Sequence, residues 1–325
     1  MSEVVTRPPF DPEVAAVLKE RRDEVVTGLA PDEIAALRAR AADLPPLESL
    51  TLGGRFTLST LEVHGPAAGS AVELVLLRPA LADGPVPVLL HVHGGGLIAG
   101  RAHDDLVPTL ELADATGCAV ASVEYRLAPE HPYPAAVDDV YAALSGLIDA
   151  AGRLGLDRRR VVLHGVSAGG GLAAAAGLLA RDRGGPQPAG LLLVCPMLDD
   201  RNDTASAHQM QGHGAWDRTA NATGWQAYLP AVAGTAEVPG YAAPGREQDL
   251  AGLPPAFLDV GSAETFRDEV VAFASRLWSC GGDAELHVWP GGVHGFDFLA
   301  PKAAVSRAAR GAREDWLRRV LARVG

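Results

Sequence analysis

The chain has 325 residues, 48% of them hydrophobic and 21% charged, and carries a formal net charge of −12. It is long enough to bury a large core, and too acidic for nucleic acid or an anionic membrane, both of which demand a basic face. No apolar run reaches the length of a bilayer span, and the opening MSEVVTRPPFDPEV lacks the basic start and apolar centre of a secretory leader.

Residues 11–40 carry helical periodicity (Val14, Val17, Leu18, then Ile34 and Leu37), broken at Pro31 into two helices. Pro45-Pro46 closes this segment, so residues 1–46 are expected as a helical appendage ahead of a main domain at 47–325. Strands are expected at 55–63, 72–78 and 86–92, with Asp83-Gly84-Pro85 as the turn before the third. From there strands alternate with helices: a strand at 118–125, a helix at 135–151, a strand entering residues 161–163 and a helix after Ser167. A strand follows at 191–195. Periodicity then weakens through 196–255, rich in Gly, Asn, His and Trp, and an insertion is placed at about 199–250. Past Pro254-Pro255 come a strand at 256–260, a helix at 266–278, a strand at 285–289 and a last helix at 302–324, whose Arg-rich side reads as a solvated face. Repeated strand–helix units predict a mostly parallel sheet with helices on both faces. The insertion leaves from the carboxyl end of that sheet, where, with the N-terminal helices, it can roof a site.

The cysteines (Cys118, Cys195 and Cys280) are three, far apart, and two of them lie in apolar strand-like settings. Free thiols, a reducing compartment and hence a cytoplasmic location are expected.

The chemistry gathers on VVLHGVSAGGGLAAAAGLLA, residues 161–180. A buried strand, the turn Gly165-Val166-Ser167-Ala168-Gly169 and an Ala/Leu-rich helix form the context that a G-x-S-x-G nucleophile requires. Glycines flank the serine because side chains there would strike the strand or the helix. A phosphate-loop reading fails, since no G-K-[ST] follows. Upstream, His93-Gly94-Gly95-Gly96 ends a buried strand. The amides of Gly95 and Gly96, with that of Ala168 after the serine, are candidate donors to a developing oxyanion. Of ten histidines, His294 in PGGVHGF sits where a loop returns to the carboxyl end of the sheet, and it is the candidate base. His287 within a strand reads as packing, and His91, His93 and His164 read as structural, His93 bracing the glycine loop. A metal reading on His91, His93 and His103 with Asp104 and Asp105 can be raised. Alternation along a strand puts i and i+2 on one face with or without a metal, so no metal is assigned. The acid belongs on the loop after the strand at 256–260. Glu264 is preferred, with Asp268 and Asp259 as alternatives. Leu97, Trp216, Trp225 and Tyr228 either line an apolar pocket or form the core of the insertion.

On these residues the chain resembles the hormone-sensitive-lipase-like branch of the α/β-hydrolase superfamily. The likeness rests on four ordered motifs: HGGG at 93–96, YRLAPEHPYPAAVDD at 125–139, GVSAGG at 165–170, and RDE at 267–269 with HGF at 294–296. It implies an eight-stranded, mostly parallel sheet, a helical cap made from the N-terminus and the insertion, and esterase activity on small acyl esters without a cofactor. Ser167, His294 and Glu264 would then act as nucleophile, base and acid, on a small-molecule ester. Two positions depart from the family pattern: Val166 stands where Asp or Thr is usual, and Glu264 where Asp-Pro is usual. An amide, lactone or carbamate hydrolase on the same residues is the alternative, and a homodimer is compatible with the chain. A non-catalytic receptor, as in the plant gibberellin receptors that resemble this family, is disfavoured because those lose the histidine that His294 supplies.

Overall fold

The computed structural model describes residues 6–23, 25–40 and 50–323. The expected boundary at Pro45-Pro46 lies outside them.

Eight strands form one sheet: β1 (Phe56–His64), β2 (Ala71–Pro79), β3 (Val86–Val92), β4 (Ala119–Glu124), β5 (Leu156–Val166), β6 (Gly190–Val194), β7 (Ala256–Gly261) and β8 (Ala284–Trp289). Their order is β1-β2-β4-β3-β5-β6-β7-β8. β1 pairs antiparallel with β2 and β2 with β4, while every later pairing is parallel. The predicted fold class holds: a mostly parallel sheet with helices on both faces. The central strands are apolar on both sides because both faces are covered; all residues of β6 and β7 are buried, whereas β1 at the edge buries only its ends.

One face is covered by α4 (Ala135–Ala150), α5 (Ala168–Asp182) and α8 (Arg267–Ser279), which share the larger core with the sheet. The other is covered by α3 (Leu106–Thr116) and α9 (Ala304–Ala322), which pack on Leu89, Val120, Val162, Leu192 and Phe257. No element was expected at 106–116. α3 opens on Asp105 in a left-handed conformation with no side-chain cap, so the start signal that sequence reading relies on is missing.

The weakly periodic insertion is partly helical: α6 (Ala205–Gln209) and α7 (Arg218–Tyr228) lie within it. Thr204 and Asp217 cap these helices through side-chain oxygens that accept from Ala207 and Ala220. α7 buries Ala220, Asn221, Thr223, Gly224, Trp225 and Tyr228, a polar mixture that hides its apolar stripe. Residues from the N-terminal segment reach the insertion: Val26 N–H donates to Ala215 O at 2.9 Å, Gly28 N–H to Asp217 Oδ1 at 3.0 Å, and Thr223 Oγ1 to Leu29 O at 2.7 Å. α1 (Pro12–Glu20) packs Val14 against Val293, Phe296 and Ala303, just beyond β8. α2 (Ile34–Arg40) sends Arg38 to Ile98 O, Ala128 O and both carboxylate oxygens of Glu130. Among the described residues, no helix is long and apolar enough to cross a membrane.

Candidate active site

Four loops leave the same edge of the sheet, because β3, β5, β7 and β8 run parallel and each loop follows a carboxyl end. They carry Gly94–Gly96, Ser167, Glu264 and His294. Ser167 sits between β5 and α5 with φ 57° and ψ −120°, a conformation L-residues avoid. The surroundings hold it there. Its N–H donates to Val194 O at 2.8 Å, and its carbonyl accepts from Gly170 at 3.0 Å and Met197 at 2.9 Å. A Cβ on Gly165 would land on the carbonyl of Gly169, and one on Gly169 would land on Val92 O. The flanking glycines therefore let strand and helix approach closely enough to make the turn.

The serine hydroxyl lies 2.9 Å from His294 Nε2, and His294 Nδ1 lies 2.7 Å from Glu264 Oε1. Glu264 is 1% exposed, and its other oxygen, Oε2, accepts from Gly261 N–H at 3.0 Å. The Phe266 ring meets the imidazole edge-on, with centroids 5.0 Å apart. With Nδ1–H donated to the carboxylate, Nε2 presents its lone pair to the hydroxyl, the tautomer a base requires. The two alternative acids lie elsewhere. Asp268 accepts from Ser206 N–H at 2.8 Å and pairs with Arg267. Asp259 accepts from Trp289 Nε1 at 3.1 Å and pairs with Arg313 at 2.8 Å.

Among the described residues, no protein acceptor takes the N–H of Gly95, Gly96 or Ala168. Gly95 and Gly96 have φ of +109° and +62°, and a Cβ on Gly96 would sit 2.5 Å from the Trp216 ring. The loop is braced from behind. Gly94 N–H donates to Asp105 Oδ2 at 3.1 Å, and Tyr125 Oη donates to His93 O at 3.0 Å. His93 is fully buried, stacks on Tyr125 at 4.1 Å and contacts Gly94 O at 2.7 Å, a brace as expected. Burial holds its pKa down to about 3, so the ring stays neutral. Asp105 was expected only as part of a rival metal set. Burial pushes its carboxyl up to about 6. That metal set does not converge: His91 pairs with His164 (Nδ1···Nδ1 3.0 Å) and with Asp104 O, and burial lowers its pKa to about 4.

Of the pocket candidates, Leu97, Trp225 and Tyr228 line a narrow pocket beside Ala168, with Gly171, Leu172, Ala175, Met197 and Ala242. Trp225 and Tyr228 are almost wholly buried, so they are insertion core and pocket wall at once. Trp216 is not part of that wall and packs over Gly96 instead. Reading the sequence missed Glu269, which is buried and accepts from the Leu198 and Asp199 amides at 2.7 and 3.2 Å, supporting the loop after β6. It also missed Cys195, whose thiol lies near Glu264 and His294. Glu269 closes the RDE stretch, but its partners, the Leu198 and Asp199 amides, are remote along the chain, and Cys195 lies in no motif; only the strand order brings both there.

A hydroxyl, an imidazole and a carboxylate in one hydrogen-bonded file, at the carboxyl edge of a mostly parallel eight-stranded sheet, is the arrangement of an α/β hydrolase. A family model described as alpha/beta hydrolase fold matches residues 89–298. The chain is 34% identical to carboxylesterase NlhH of Mycobacterium tuberculosis over 92% of its length and 93% of that protein. It is 32% identical to esterase LipI of the same organism, over 89% of this chain and 88% of the relative. Among solved structures, a bacterial heroin esterase superposes with a TM-score of 0.87 at 37% identity, covering 96% of this chain and 98% of the other. The chain belongs to the α/β-hydrolase family, in its hormone-sensitive-lipase-like branch.

Proposed function

We propose that the protein is a serine carboxylesterase acting on small to medium carboxylic esters through an acyl-enzyme on Ser167. The observation that carries this is the unbroken file Ser167 Oγ, His294 Nε2, His294 Nδ1, Glu264 Oε1, with contacts of 2.9 and 2.7 Å. In the first step His294 takes the hydroxyl proton as Oγ attacks the ester carbonyl. Gly95, Gly96 and Ala168 direct three amides at the carbonyl oxygen as it gains charge, and one such donor is typically worth about 3 kcal/mol. Glu264 holds the imidazole in the correct tautomer and stabilises its protonated form. His294 then gives the proton to the departing alkoxide, and a water activated by the same imidazole releases the acid.

A short acyl group suits the narrow pocket beside Ala168, closed by Leu172, Met197, Trp225 and Tyr228. The N-terminal residues and the insertion act as one cap in this reading, supported by the hydrogen bonds between them and by Trp216 over the glycine loop. The cytoplasmic location belongs to the same proposal, and the free buried thiols Cys118 and Cys195 support it.

The test is hydrolysis of p-nitrophenyl acetate by Ser167→Ala, with the fold checked by circular dichroism. Activity should vanish, and retained turnover refutes the reading. A chain-length series from acetate to laurate should peak at the short end, and paired ester and amide analogues should favour the ester.

A further inference from the structure

Beside the proposed acid and base stands a third ligand-bearing side chain that the reaction does not use. Cys195 Sγ, a carboxylate oxygen of Glu264 and a ring nitrogen of His294 lie within 4.8 Å of one another. Cys195 follows β6 with φ 38°, in the left-handed region, and its N–H donates to Asp259 O at 2.8 Å. Its side chain packs with Val166, Val194 and Phe298, so the thiol is held in place. All three groups are mostly enclosed, and His294, with its side chain 14% exposed, is the most open of them.

We propose that Cys195, Glu264 and His294 form a binding site for a thiophilic divalent cation, zinc or cadmium, whose occupancy reversibly switches the enzyme off. The donor set is one thiolate, one imidazole and one carboxylate, each a ligand type that zinc takes, and three protein ligands leave a fourth position for water. Charge favours it, since thiolate and carboxylate together neutralise a doubly charged ion in a place where an uncompensated charge would be costly. Burial first, then Glu264, Asp297 and Asp259, hold the Cys195 thiol above its ordinary pKa, and Arg313, which pairs with both aspartates, works the other way, so the incoming ion has to displace the thiol proton.

Occupancy is incompatible with catalysis on two counts. Tetrahedral bonds of about 2.0–2.2 Å to nitrogen and oxygen put those atoms roughly 3.4 Å apart, so the 2.7 Å contact between His294 and Glu264 must open. An ion on Nδ1 also leaves the single proton of the neutral ring on Nε2, facing Ser167 Oγ at 2.9 Å. Nε2–H cannot accept the hydroxyl proton. The balance is simple: the thiol proton goes to buffer, the ring proton changes nitrogen, and nothing is oxidised or reduced.

The inhibition arm rests on the esterase reading; a spectroscopic arm does not. Free zinc should inhibit hydrolysis of p-nitrophenyl acetate, and EDTA should restore it. Magnesium, a hard ion that prefers oxygen ligands, should have no effect. Cys195→Ala should keep its kcat/KM while zinc loses at least about tenfold in potency, because even changing an outer partner of a metal ligand costs about 10–100-fold in affinity. Cys195→Ser is the second variant, in case the smaller side chain unsettles the fold. Independently of substrate, cadmium should give a thiolate charge-transfer band in the ultraviolet that disappears in Cys195→Ala, measured in a Cys280→Ser background because Cys280 is partly exposed. Equal zinc sensitivity of parent and variants, equal inhibition by magnesium, or an unchanged cadmium band each overturns the proposal. Loss of the band in the variant supports it even where no ester is turned over.

Discussion

Glu264→Gln tests the relay at its most demanding point. The pocket around the carboxylate offers two donors, His294 Nδ1–H at 2.7 Å and Gly261 N–H at 3.0 Å, one to each oxygen. Glutamine has one carbonyl oxygen, and at 1% exposure no solvent makes up the difference. With the oxygen toward His294, the amide NH2 faces the Gly261 N–H, and an unsatisfied buried donor costs about 1–3 kcal/mol. With the oxygen toward Gly261, the NH2 faces Nδ1, and the ring must carry its proton on Nε2, where it cannot act as base. In both orientations the imidazolium formed during attack loses its counter-charge. A fall in kcat of roughly 10³–10⁴ is expected, about 4–5.5 kcal/mol of barrier, with little change in KM. Asp268→Asn, which alters only the contacts to Ser206 and Arg267, should stay within about twofold of the parent. The assay is steady-state hydrolysis of p-nitrophenyl acetate near neutral pH, with thermal melts to confirm folding. A Glu264→Gln enzyme within about tenfold of the parent, or a large loss in Asp268→Asn, would refute the assignment.

Gly165→Ala places a methyl group on the Gly169 carbonyl, so the elbow must open. A loss of at least about 2 kcal/mol by denaturant titration is expected, with activity falling further than stability. Arg313→Met strands the buried carboxylates of Asp259 and Asp297, and breaking a buried pair costs about 3–5 kcal/mol. That deficit should shrink in acid, because burial raises the Asp259 carboxyl above its ordinary value and it takes up a proton there, and a melt series over pH reads it. Asp105 titrates at about 6 in the fold against an ordinary value of 3.8. The folded chain therefore binds the extra proton, and this contribution to stability is present at low pH and is lost as pH rises through the window from about 4 to 6. Asp105→Asn should flatten the stability profile there by on the order of 2 kcal/mol, and an unchanged slope would refute the assignment.

Much of the site could be read from the chain because its chemistry is written in short local motifs. A glycine-flanked serine between strand and helix, a glycine run ending a strand, and a histidine just past the last strand each need only a few neighbours to be recognised. Their order also fixed which loops had to meet, since parallel strands send successive carboxyl ends to one edge. Local periodicity failed for α3 and α7, where the helix start lacks a cap or the buried face is polar. Other features belong to no single stretch. The choice of Glu264 over Asp268 turns on which carboxylate reaches Nδ1. The seating of Trp216 on Gly96, the support of Gly94 by Asp105 and the approach of Cys195 to Glu264 and His294 join residues from separate strands and loops. The sequence alone determined the strand–helix alternation and the residues able to do the chemistry, because those depend on neighbours along the chain. Only the tertiary structure decided which groups are within bonding distance, because that depends on the order in which strands are laid side by side and on what the packing between them leaves room for.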